Sequence, residues 1–389
     1  MSLTAARPVD TTPAPAPRSL PAWVYNHPEV THLEYERILK PSWQIACHVS
    51  QICDPGDYVT FELGGDSVIV LRDPSGAIRA LRNVCRHRGT RLLEGAGRCP
   101  GRITCPYHGW TYRYDGSLLA TPARDTFPDL NLREHGLEQV RLELALGFVW
   151  VCLGADAPPA PSQVWAPFME ELAPYRLEEL VPTGRIFLED WHVDWKIAMD
   201  NYLESYHVPI GHPGLNRLFT PDYEDQRGVG GIARGASWMR EAPSSRWGER
   251  IYQKYIGEVT APYLPERERR CWRFYSCLPN LGIDIMPEQM DFFQVLPRGP
   301  GRTQVRYASF GRPDERREMR LMRWLGNRIN AQVNAEDREL CERLQRGIAD
   351  SHYRPGPLSR LETWMLEFHE LLCARIPEMQ LPSPPAHFS

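Results

Sequence analysis

Cys85-Arg86-His87 and Cys105-Pro106-Tyr107-His108-Gly109-Trp110 are the two stretches that decide how this sequence is interpreted. Each stretch offers one thiolate and one imidazole, and 17 residues separate His87 from Cys105. Two Cys and two His in this order suit a [2Fe–2S] cluster in which two thiolates hold one iron and two imidazoles hold the other. Replacing two thiolates with neutral imidazoles raises the reduction potential of such a cluster. The two stretches therefore predict an electron-transfer centre.

A structural zinc ion is the main alternative for these four residues, because two Cys and two His also bind zinc tetrahedrally. Zinc sites usually begin with Cys-x-x-Cys or a similar pair, whereas the first stretch is Cys-x-His. The sequence therefore favours the cluster.

A second metal site is predicted about a hundred residues later, in Glu204-Ser205-Tyr206-His207-Val208-Pro209-Ile210-Gly211-His212. A helix is predicted over residues 194–207, and on it Glu204 and His207 share one face because they lie three residues apart. His212 lies five residues after His207, a rotation of about 140° on a straight helix, so one helix would not direct both at one ion. Pro209 and Gly211 interrupt the helix and allow His212 to turn back.

Two His and one carboxylate with open positions form the facial triad of Fe(II) oxygenases. Asp337 is the candidate for a distant third ligand, because it shares an apolar helical stripe with Leu340, Cys341, Leu344 and Ile348, whereas Glu336 falls on another face. A carboxylate on an apolar stripe needs a partner, and an iron ion would serve. Two alternatives stay open: Asp337 caps a helix or pairs with an Arg, or Glu204 is itself the third ligand.

Composition and charge narrow the class of protein. The 389 residues are 42% hydrophobic and 24% charged, and 45 basic against 49 acidic residues give a formal charge of −4. These values are typical of a globular protein and do not favour binding to nucleic acid or to anionic membranes. We expect no membrane span and no signal peptide, because no apolar run reaches 18 residues and the N-terminus lacks an apolar core. Eight of the ten cysteines lie outside the two stretches, and we expect reduced thiols in a cytoplasmic protein.

The order of predicted elements indicates an α+β protein with two domains. Residues 1–20 are rich in Pro, Ala and Thr, which predicts a mobile arm, and a short helix follows over residues 31–39. From Trp43 to about Leu153 the pattern is that of short strands, and a Pro-rich linker follows over residues 157–161. Beyond it we predict strands over residues 185–190, 284–295 and 302–310, and mainly helices from Pro313 onward.

The Cys-x-His and Cys-Pro-Tyr-His-Gly-Trp motifs resemble the Rieske domain of the α subunit of Rieske non-haem iron oxygenases, and the resemblance extends from about Pro41 to the C-terminal region. It implies an N-terminal arm and helix (1–40), a small Rieske β domain (41–155) and a catalytic domain of the helix-grip type, an antiparallel sheet flanked by helices (156–389). It also implies a symmetric homotrimer.

The same resemblance implies roles for individual residues. The [2Fe–2S] ligands would be Cys85, His87, Cys105 and His108, and the Fe(II) ligands would be His207, His212 and Asp337. Glu204 occupies the family's bridging position, where an acid links His108 of one subunit to His207 of the next. A carboxylate between two ligand imidazoles fixes their tautomers and raises their basicity.

The implied activity uses O₂ and electrons that come from NAD(P)H through a separate flavin and iron–sulfur reductase. Ring-hydroxylating dioxygenases usually carry Asp at the bridging position, whereas Glu204 and the segments 278–284 and 291–297 resemble the branch that acts on choline, carnitine, glycine betaine and stachydrine. We therefore predict a monooxygenase that demethylates or hydroxylates a quaternary ammonium compound. The alternatives are an aromatic-acid ring hydroxylase, a dioxygenase or an O-demethylase, and, from a different class, a non-enzymatic Rieske electron carrier.

Other features carry weaker hypotheses. Gly228-Val229-Gly230-Gly231 follows a polar stretch instead of a hydrophobic strand, which argues against a nicotinamide site and predicts a flexible loop near the active site. His192, His352 and His369 lack ligand spacing, so we expect ordinary surface or capping histidines. Four aromatic residues are candidate walls of a substrate pocket: Tyr206, Trp238, Phe292 and Phe293.

Overall fold

The structure is a computed structural model that describes residues 17–156, 158–184, 186–221 and 223–388. Most of the predicted arm, residues 1–16, lies outside the described residues, as does Arg185 at the start of one predicted strand. No described helix is both long and apolar enough to cross a membrane.

Three small antiparallel sheets form the first half of the fold, with strand orders β1-β10-β9, β4-β3-β2-β5 and β6-β7-β8. The β2–β3 hairpin shows the local cause, because Gly64 and Gly65 take φ values of 56° and 93° and so permit the tight turn that strand twist favours. The strands are β1 (Gln44–His48), β2 (Asp57–Leu63), β3 (Asp66–Arg72), β4 (Ile78–Arg82), β5 (Ala96–Arg98), β6 (Ile103–Thr104), β7 (Thr111–Tyr112), β8 (Leu118–Ala120), β9 (Arg141–Ala145) and β10 (Phe148–Cys152).

One eight-stranded antiparallel sheet dominates the second half, in the order β11-β18-β17-β16-β15-β14-β13, with β12 paired to β18. Every pairing in it is antiparallel, as the α+β prediction requires. The strands are β11 (Val181–Pro182), β12 (Phe187–Trp191), β13 (Glu224–Val229), β14 (Ile232–Trp238), β15 (Cys271–Cys277), β16 (Leu281–Ile285), β17 (Met290–Gly299) and β18 (Arg302–Gly311).

Helices lie before, between and after these strands, and the longest, α8, follows the last strand. The helices are α1 (Pro28–Glu34), α2 (Pro161–Trp165), α3 (Met169–Leu172), α4 (Trp195–Tyr202), α5 (Val208–Gly211), α6 (Pro213–Leu218), α7 (Trp247–Val259), α8 (Arg317–Ile348) and α9 (Thr363–Arg375). The fold class predicted from the sequence, a small β domain followed by an antiparallel sheet with flanking helices, is confirmed.

The two halves share a buried core and a buried polar contact. Phe148 and Trp150 of β10 pack in one cluster with Phe292 and Phe310 of the large sheet. Beside them, the Arg306 guanidinium donates a hydrogen bond of 2.7 Å to the backbone carbonyl of Ile45 in β1. Because alternate residues of a strand face opposite sides, this packing covers one face of the large sheet and leaves the other for α4 and α8.

The segment before β1 is anchored on α4 through buried charges. The Lys196 ammonium lies 2.5 Å from Glu34 of α1 and 2.6 Å from Asp194, and all three side chains are buried. Trp195 also donates an indole N–H to Glu34 at 2.7 Å. This network fixes the start of α4, the helix that leads into the second predicted metal site.

Three local predictions were wrong. The helix predicted over 194–207 ends at Tyr202, so Glu204 and His207 lie beyond it. The predicted loop at 228–233 is instead the tight turn of the β13–β14 hairpin, in which Val229 pairs with Ile232. The strand predicted over 284–295 is divided between β16 and β17. In each case pairing across the sheet or the end of a helix outweighed the local pattern.

Candidate active site

The two Cys–His stretches form two loops with the same backbone hydrogen bonds. In the first loop the N–H of Gly89 donates to the carbonyl of Cys85 at 3.0 Å, and in the second the N–H of Gly109 donates to that of Cys105 at 3.0 Å. Both glycines have positive φ, 78° and 72°, which a residue with a Cβ rarely adopts. Cys-x-His-x-Gly in the first stretch and Cys-x-x-His-Gly in the second both place a glycine four residues after the cysteine, and both thus produce the same loop.

The loops bring their four predicted ligands to one place. The imidazole rings of His87 and His108 lie 4.7 Å apart between centroids, and the pKa of the Cys85 thiol is raised by burial and further by the neighbouring Cys105. Trp110 stacks on His87 with centroids 4.9 Å apart. The Nδ1 atom of His87 is buried and has no hydrogen-bond partner in the described structure, which suits a metal-ligand atom.

The spread of the four donor atoms suits a cluster better than a single ion. Ligand atoms around one tetrahedral zinc ion lie about 3.8 Å apart. Among the described residues, the one group of three potential ligand atoms that all lie within 4.8 Å of one another is His207, His212 and Asp337. No three of the Cys85, His87, Cys105 and His108 donors form such a group among the described residues, which favours the cluster over mononuclear zinc.

The second site forms where α4 ends. Asp194 caps the helix, its side chain accepting a hydrogen bond from the backbone N–H of Lys196, and the helix stops at Tyr202. The chain then turns so that Glu204 Oε1 lies 2.5 Å from His207 Nδ1. The one-turn helix α5 and then Pro213 follow, and this break directs His212 back toward His207, as Pro209 and Gly211 predicted.

The three predicted iron ligands meet at a single point. His207 Nε2 and His212 Nε2 lie 3.1 Å apart, and Asp337 Oδ1 lies 2.9 Å from His212 Nε2 and 3.5 Å from His207 Nε2. Two imidazole nitrogens directed at each other need a cation or a proton between them. Two neutral imidazoles and one carboxylate on one side of a cavity fit a mononuclear Fe(II) ion with open positions.

A carboxylate contacts the Nδ1 atom of each imidazole, on the side of the ring away from the candidate iron position. His207 Nδ1 contacts Glu204, and His212 Nδ1 lies 2.9 Å from Glu336 Oε2. Hydrogen bonds at both Nδ1 atoms leave both Nε2 lone pairs for a metal ion. Sequence reasoning missed Glu336 because it lies off the apolar stripe that carries Asp337.

The pKa values show that positive charge is strongly favoured at this point. Burial lowers the pKa of His207, but hydrogen bonds with Asp337 and Glu204 outweigh burial and raise it to about 9. Burial raises the pKa of Asp337, but the two imidazoles outweigh it and lower it to about 2. A divalent metal ion would supply this positive charge in place of the imidazole protons.

Asp337 has no arginine partner in the described structure and lies in the middle of α8, so neither the ion-pair nor the helix-cap alternative applies to it. Its Oδ1 accepts a further hydrogen bond of 2.7 Å from the amide of Asn201. Glu204, the rival third ligand, contacts His207 on the Nδ1 side, away from His212.

A cavity of about 340 Å³ opens from this point between the large sheet, α4 and α8. Phe293 lines it as the sequence anticipated, whereas the Phe292 ring packs with Phe148 and Phe310 on the other face of the sheet. Tyr206 is 60% exposed, and Trp238 packs under the guanidinium of Arg267. No Lys or Arg lines the cavity among the residues whose side chains are described.

One histidine prediction was wrong. His369 is neither at the surface nor a helix cap: it is 4% exposed and its Nε2 lies 2.8 Å from Asp200 Oδ1. The contact spans 169 residues of sequence, so local spacing could not reveal it. His192 and His352 are exposed, as predicted.

Comparison with known proteins identifies the family. Residues 42–135 match the Rieske [2Fe–2S] domain, and residues 181–378 match the catalytic domain of the ring-hydroxylating α subunit. The glycine betaine monooxygenase oxygenase subunit of Chromohalobacter salexigens is 32% identical over 373 residues, covering 88% of this chain and 82% of the relative. The carnitine monooxygenase oxygenase subunit of Acinetobacter pittii is 33% identical over 199 residues, covering 51% of this chain and 53% of the relative.

A solved structure of a quaternary ammonium Rieske monooxygenase has the same fold, with a TM-score of 0.79 at 22% identity, over 92% of this chain and 96% of that one. The predicted family and the two predicted cofactors, a [2Fe–2S] cluster and mononuclear iron, are confirmed. The catalytic-domain match excludes a simple electron carrier. The chain therefore belongs to the Rieske non-haem iron oxygenases, as an α (oxygenase) subunit that works with a separate reductase on a small molecule.

Proposed function

We propose that this chain monooxygenates an N-methyl group of a quaternary ammonium compound. One atom of O₂ enters a methyl C–H bond, the other leaves as water, and two electrons come from NAD(P)H through the reductase. The hydroxymethyl group then separates from nitrogen as formaldehyde, leaving a tertiary amine and a proton. The relatives that act on glycine betaine and carnitine support this substrate class.

The cavity beside the candidate iron site is the observation that carries the proposal. Aromatic rings of Tyr202, Phe293 and Tyr307 line it, and aromatic faces attract quaternary ammonium groups. The described lining offers no Lys or Arg to pair with a substrate carboxylate, so the group it favours is the ammonium, which an aromatic acid, the runner-up substrate, lacks.

Two separate sets of residues would hold the two metal centres. Cys85, His87, Cys105 and His108 would hold the cluster, and His207, His212 and Asp337 would hold the iron. When bound, the cluster supplies single electrons and the Fe(II) ion activates O₂. Glu204 and Glu336 keep the ligand imidazoles in the tautomer that presents Nε2, and the cavity walls orient the methyl group.

Glu204 would also connect the centres of neighbouring subunits in a homotrimer. Within the described chain its hydrogen bonds go to His207 alone, and none reaches His108. Tyr107 in the second cluster loop is 57% exposed, and Tyr206 and Ile210 beside the iron site are 60% and 88% exposed. Large exposed apolar side chains at both ends of the proposed relay are typical of subunit contacts.

Oxygen consumption tests the function. The purified protein, with a reductase and NADH, is given choline, glycine betaine, carnitine and a set of aromatic acids, and O₂ uptake and formaldehyde are measured. We expect formaldehyde in step with O₂ uptake for at least one quaternary ammonium compound. Uptake coupled to an aromatic acid alone would contradict the proposal.

Glu204→Gln tests the relay. We expect both metals to remain bound and the cluster to accept electrons, while coupled turnover falls by at least a hundredfold. Glu339→Gln is the matched control, because Glu339 is exposed on α8 and its ion pair, among the residues that the structure describes, is with Arg343 alone. Undiminished turnover in Glu204→Gln would show that the bridging role is wrong.

The mass in solution tests the assembly, since a trimer has three times the 44.7 kDa of one chain. We also propose the domain bounds 41–155 and 156–389, which the family matches at 42–135 and 181–378 support. Ten unpaired cysteines support a cytoplasmic location.

A further inference from the structure

Two rows of side chains cross the face of the large sheet that lines the cavity. The first, called here the acidic row, contains Asp284 of β16 and Asp291 of β17, which lie directly opposite each other. The second, the aromatic row, contains Phe293, Tyr307 and Phe187, paired in register across β17, β18 and β12. Positions two residues apart on a strand share a face, so the rows run side by side about 7 Å apart.

The acidic row is a half-buried pair of carboxyl groups without a cationic partner among the described residues. Tyr202 donates a hydrogen bond of 2.8 Å to Asp284, and Asn330 and Gln289 donate bonds of 2.5 and 3.0 Å to Asp291. These donors are all neutral, and neither carboxylate forms an ion pair within the described residues. Like charges directly opposite each other in a sheet are destabilising, which favours a role in binding over one in folding.

The aromatic row gains a further ring because one position of β16 is glycine. Gly282 lies opposite Phe293, and a Cβ built there would approach the Tyr202 ring to 2.3 Å. The absence of that atom lets Tyr202 lie over the sheet and stack on Phe293, with centroids 5.5 Å apart. Tyr202 therefore joins both rows, its ring in one and its hydroxyl bonded to the other.

The two helices over the cavity set the distance from the rows to the iron site. On α8, Asn330 binds Asp291 and Asp337 is a triad residue, two turns or about 10 Å apart along the axis. On α4, Asn201 binds Asp337 and its neighbour Tyr202 binds Asp284. A small ammonium group with one methyl at the iron would thus have its charge between the triad and the acidic row.

We propose that Asp284 and Asp291 form an anionic subsite that binds the cationic nitrogen of the substrate, with Tyr202 and Phe293 on its other side, and so determine specificity for ammonium compounds. This inference rests on the proposed function and adds the residues that recognise the positive charge of the substrate. Two carboxylates neutralise a positive charge that aromatic faces alone only attract, so a neutral compound of the same shape is rejected.

Carbon isosteres test this directly, because they keep the shape of a substrate and remove its charge. Choline is compared with 3,3-dimethylbutan-1-ol, and glycine betaine with 3,3-dimethylbutanoate, by calorimetric titration and by KM on the fully loaded protein. We expect the wild type to prefer the better ammonium compound over its isostere by at least about thirtyfold. In Asp284→Asn/Asp291→Asn that preference falls by about tenfold or more, while binding of the isostere and iron content stay unchanged.

Asp190→Asn is the matched control, since Asp190 is an exposed Asp on β12 of the same sheet and should leave the preference unchanged. If the wild type bound the isostere and the ammonium compound equally well, that measurement alone would overturn the inference. An unchanged preference in the double Asn variant would overturn it and leave the proposed function standing. No binding of any ammonium compound would overturn the proposed function, and the inference with it.

Discussion

Replacing Glu336 with Gln should weaken metal binding at the candidate iron site without removing a ligand. Glu336 Oε2 accepts the Nδ1 proton of His212 at 2.9 Å, and its Oε1 accepts a hydrogen bond from Gln332 at 2.9 Å. Glutamine has the same size, but it can direct only one carbonyl oxygen at His212. Its amide N–H₂ then meets the donor of Gln332, so one of the two hydrogen bonds is lost unless Gln332 rotates.

The expected loss follows from the kind of hydrogen bond that changes. A bond to a charged group contributes about 1.5–3 kcal/mol and a neutral one about 0.5–1.5 kcal/mol, so the substitution costs about 1–1.5 kcal/mol. That corresponds to roughly tenfold weaker metal binding, at the lower end of the effect of such outer carboxylates. The lower end is expected because the Glu336 side chain is 23% exposed and water screens part of its charge.

Anaerobic titration of Fe(II) or Co(II) into protein that keeps its cluster, against a competing chelator, measures the affinity. Glu339→Gln, an exposed change three residues away on the same helix, should bind the metal as the wild type does. If Glu336→Gln binds as tightly as this control, the carboxylate does not support His212 and the reasoning fails.

Three other substitutions test the packing around the site. Lys196→Met should lower the free energy of unfolding by about 3–5 kcal/mol in urea titrations, because it leaves Glu34 and a second buried carboxylate without a cation; a loss below 1 kcal/mol would contradict this. Gly282→Ala should cost about 1–3 kcal/mol and raise KM, because its Cβ displaces the Tyr202 ring, and an unchanged KM would count against the stacked arrangement. Burial raises the pKa of Asp284 from 3.8 to about 7. Protonation of Asp284 therefore stabilises the folded state fully below pH 4, and this stabilisation is lost as the pH rises through 7. Asp284→Asn should therefore raise the melting temperature of the ligand-free protein at pH 8 and not at pH 4, and equal shifts at both pH values would contradict this.

The metal-binding stretches could be predicted because their chemistry is local. Cys85, His87 and Gly89 carry both the donor types and the turn that presents them, and the second stretch repeats the arrangement. Pro209 and Gly211 likewise indicate a break in the helix that lets two histidines face one ion. Such features need only neighbours in sequence, so they can be recognised before any fold is known.

Contacts between segments that are distant in sequence were harder to predict. The apolar stripe of α8 indicated Asp337, yet the same stripe argued against Glu336, whose longer side chain reaches His212 from the adjacent face. His369 looked like a surface residue because its partner Asp200 lies on another helix. A single helical pattern gives the direction of a side chain and says nothing of what lies opposite it.

The sequence by itself determined the family, the two cofactors and the fold class, since ligand types and their spacing are properties of short segments. The tertiary structure alone decided what surrounds those ligands. It brought a carboxylate to the Nδ1 atom of His207 and another to that of His212. It also allowed the Tyr202 ring to lie over Gly282 and placed Asp284 opposite Asp291. Strand register and helix packing set these contacts, and they arise from the burial of the whole core rather than from any one segment.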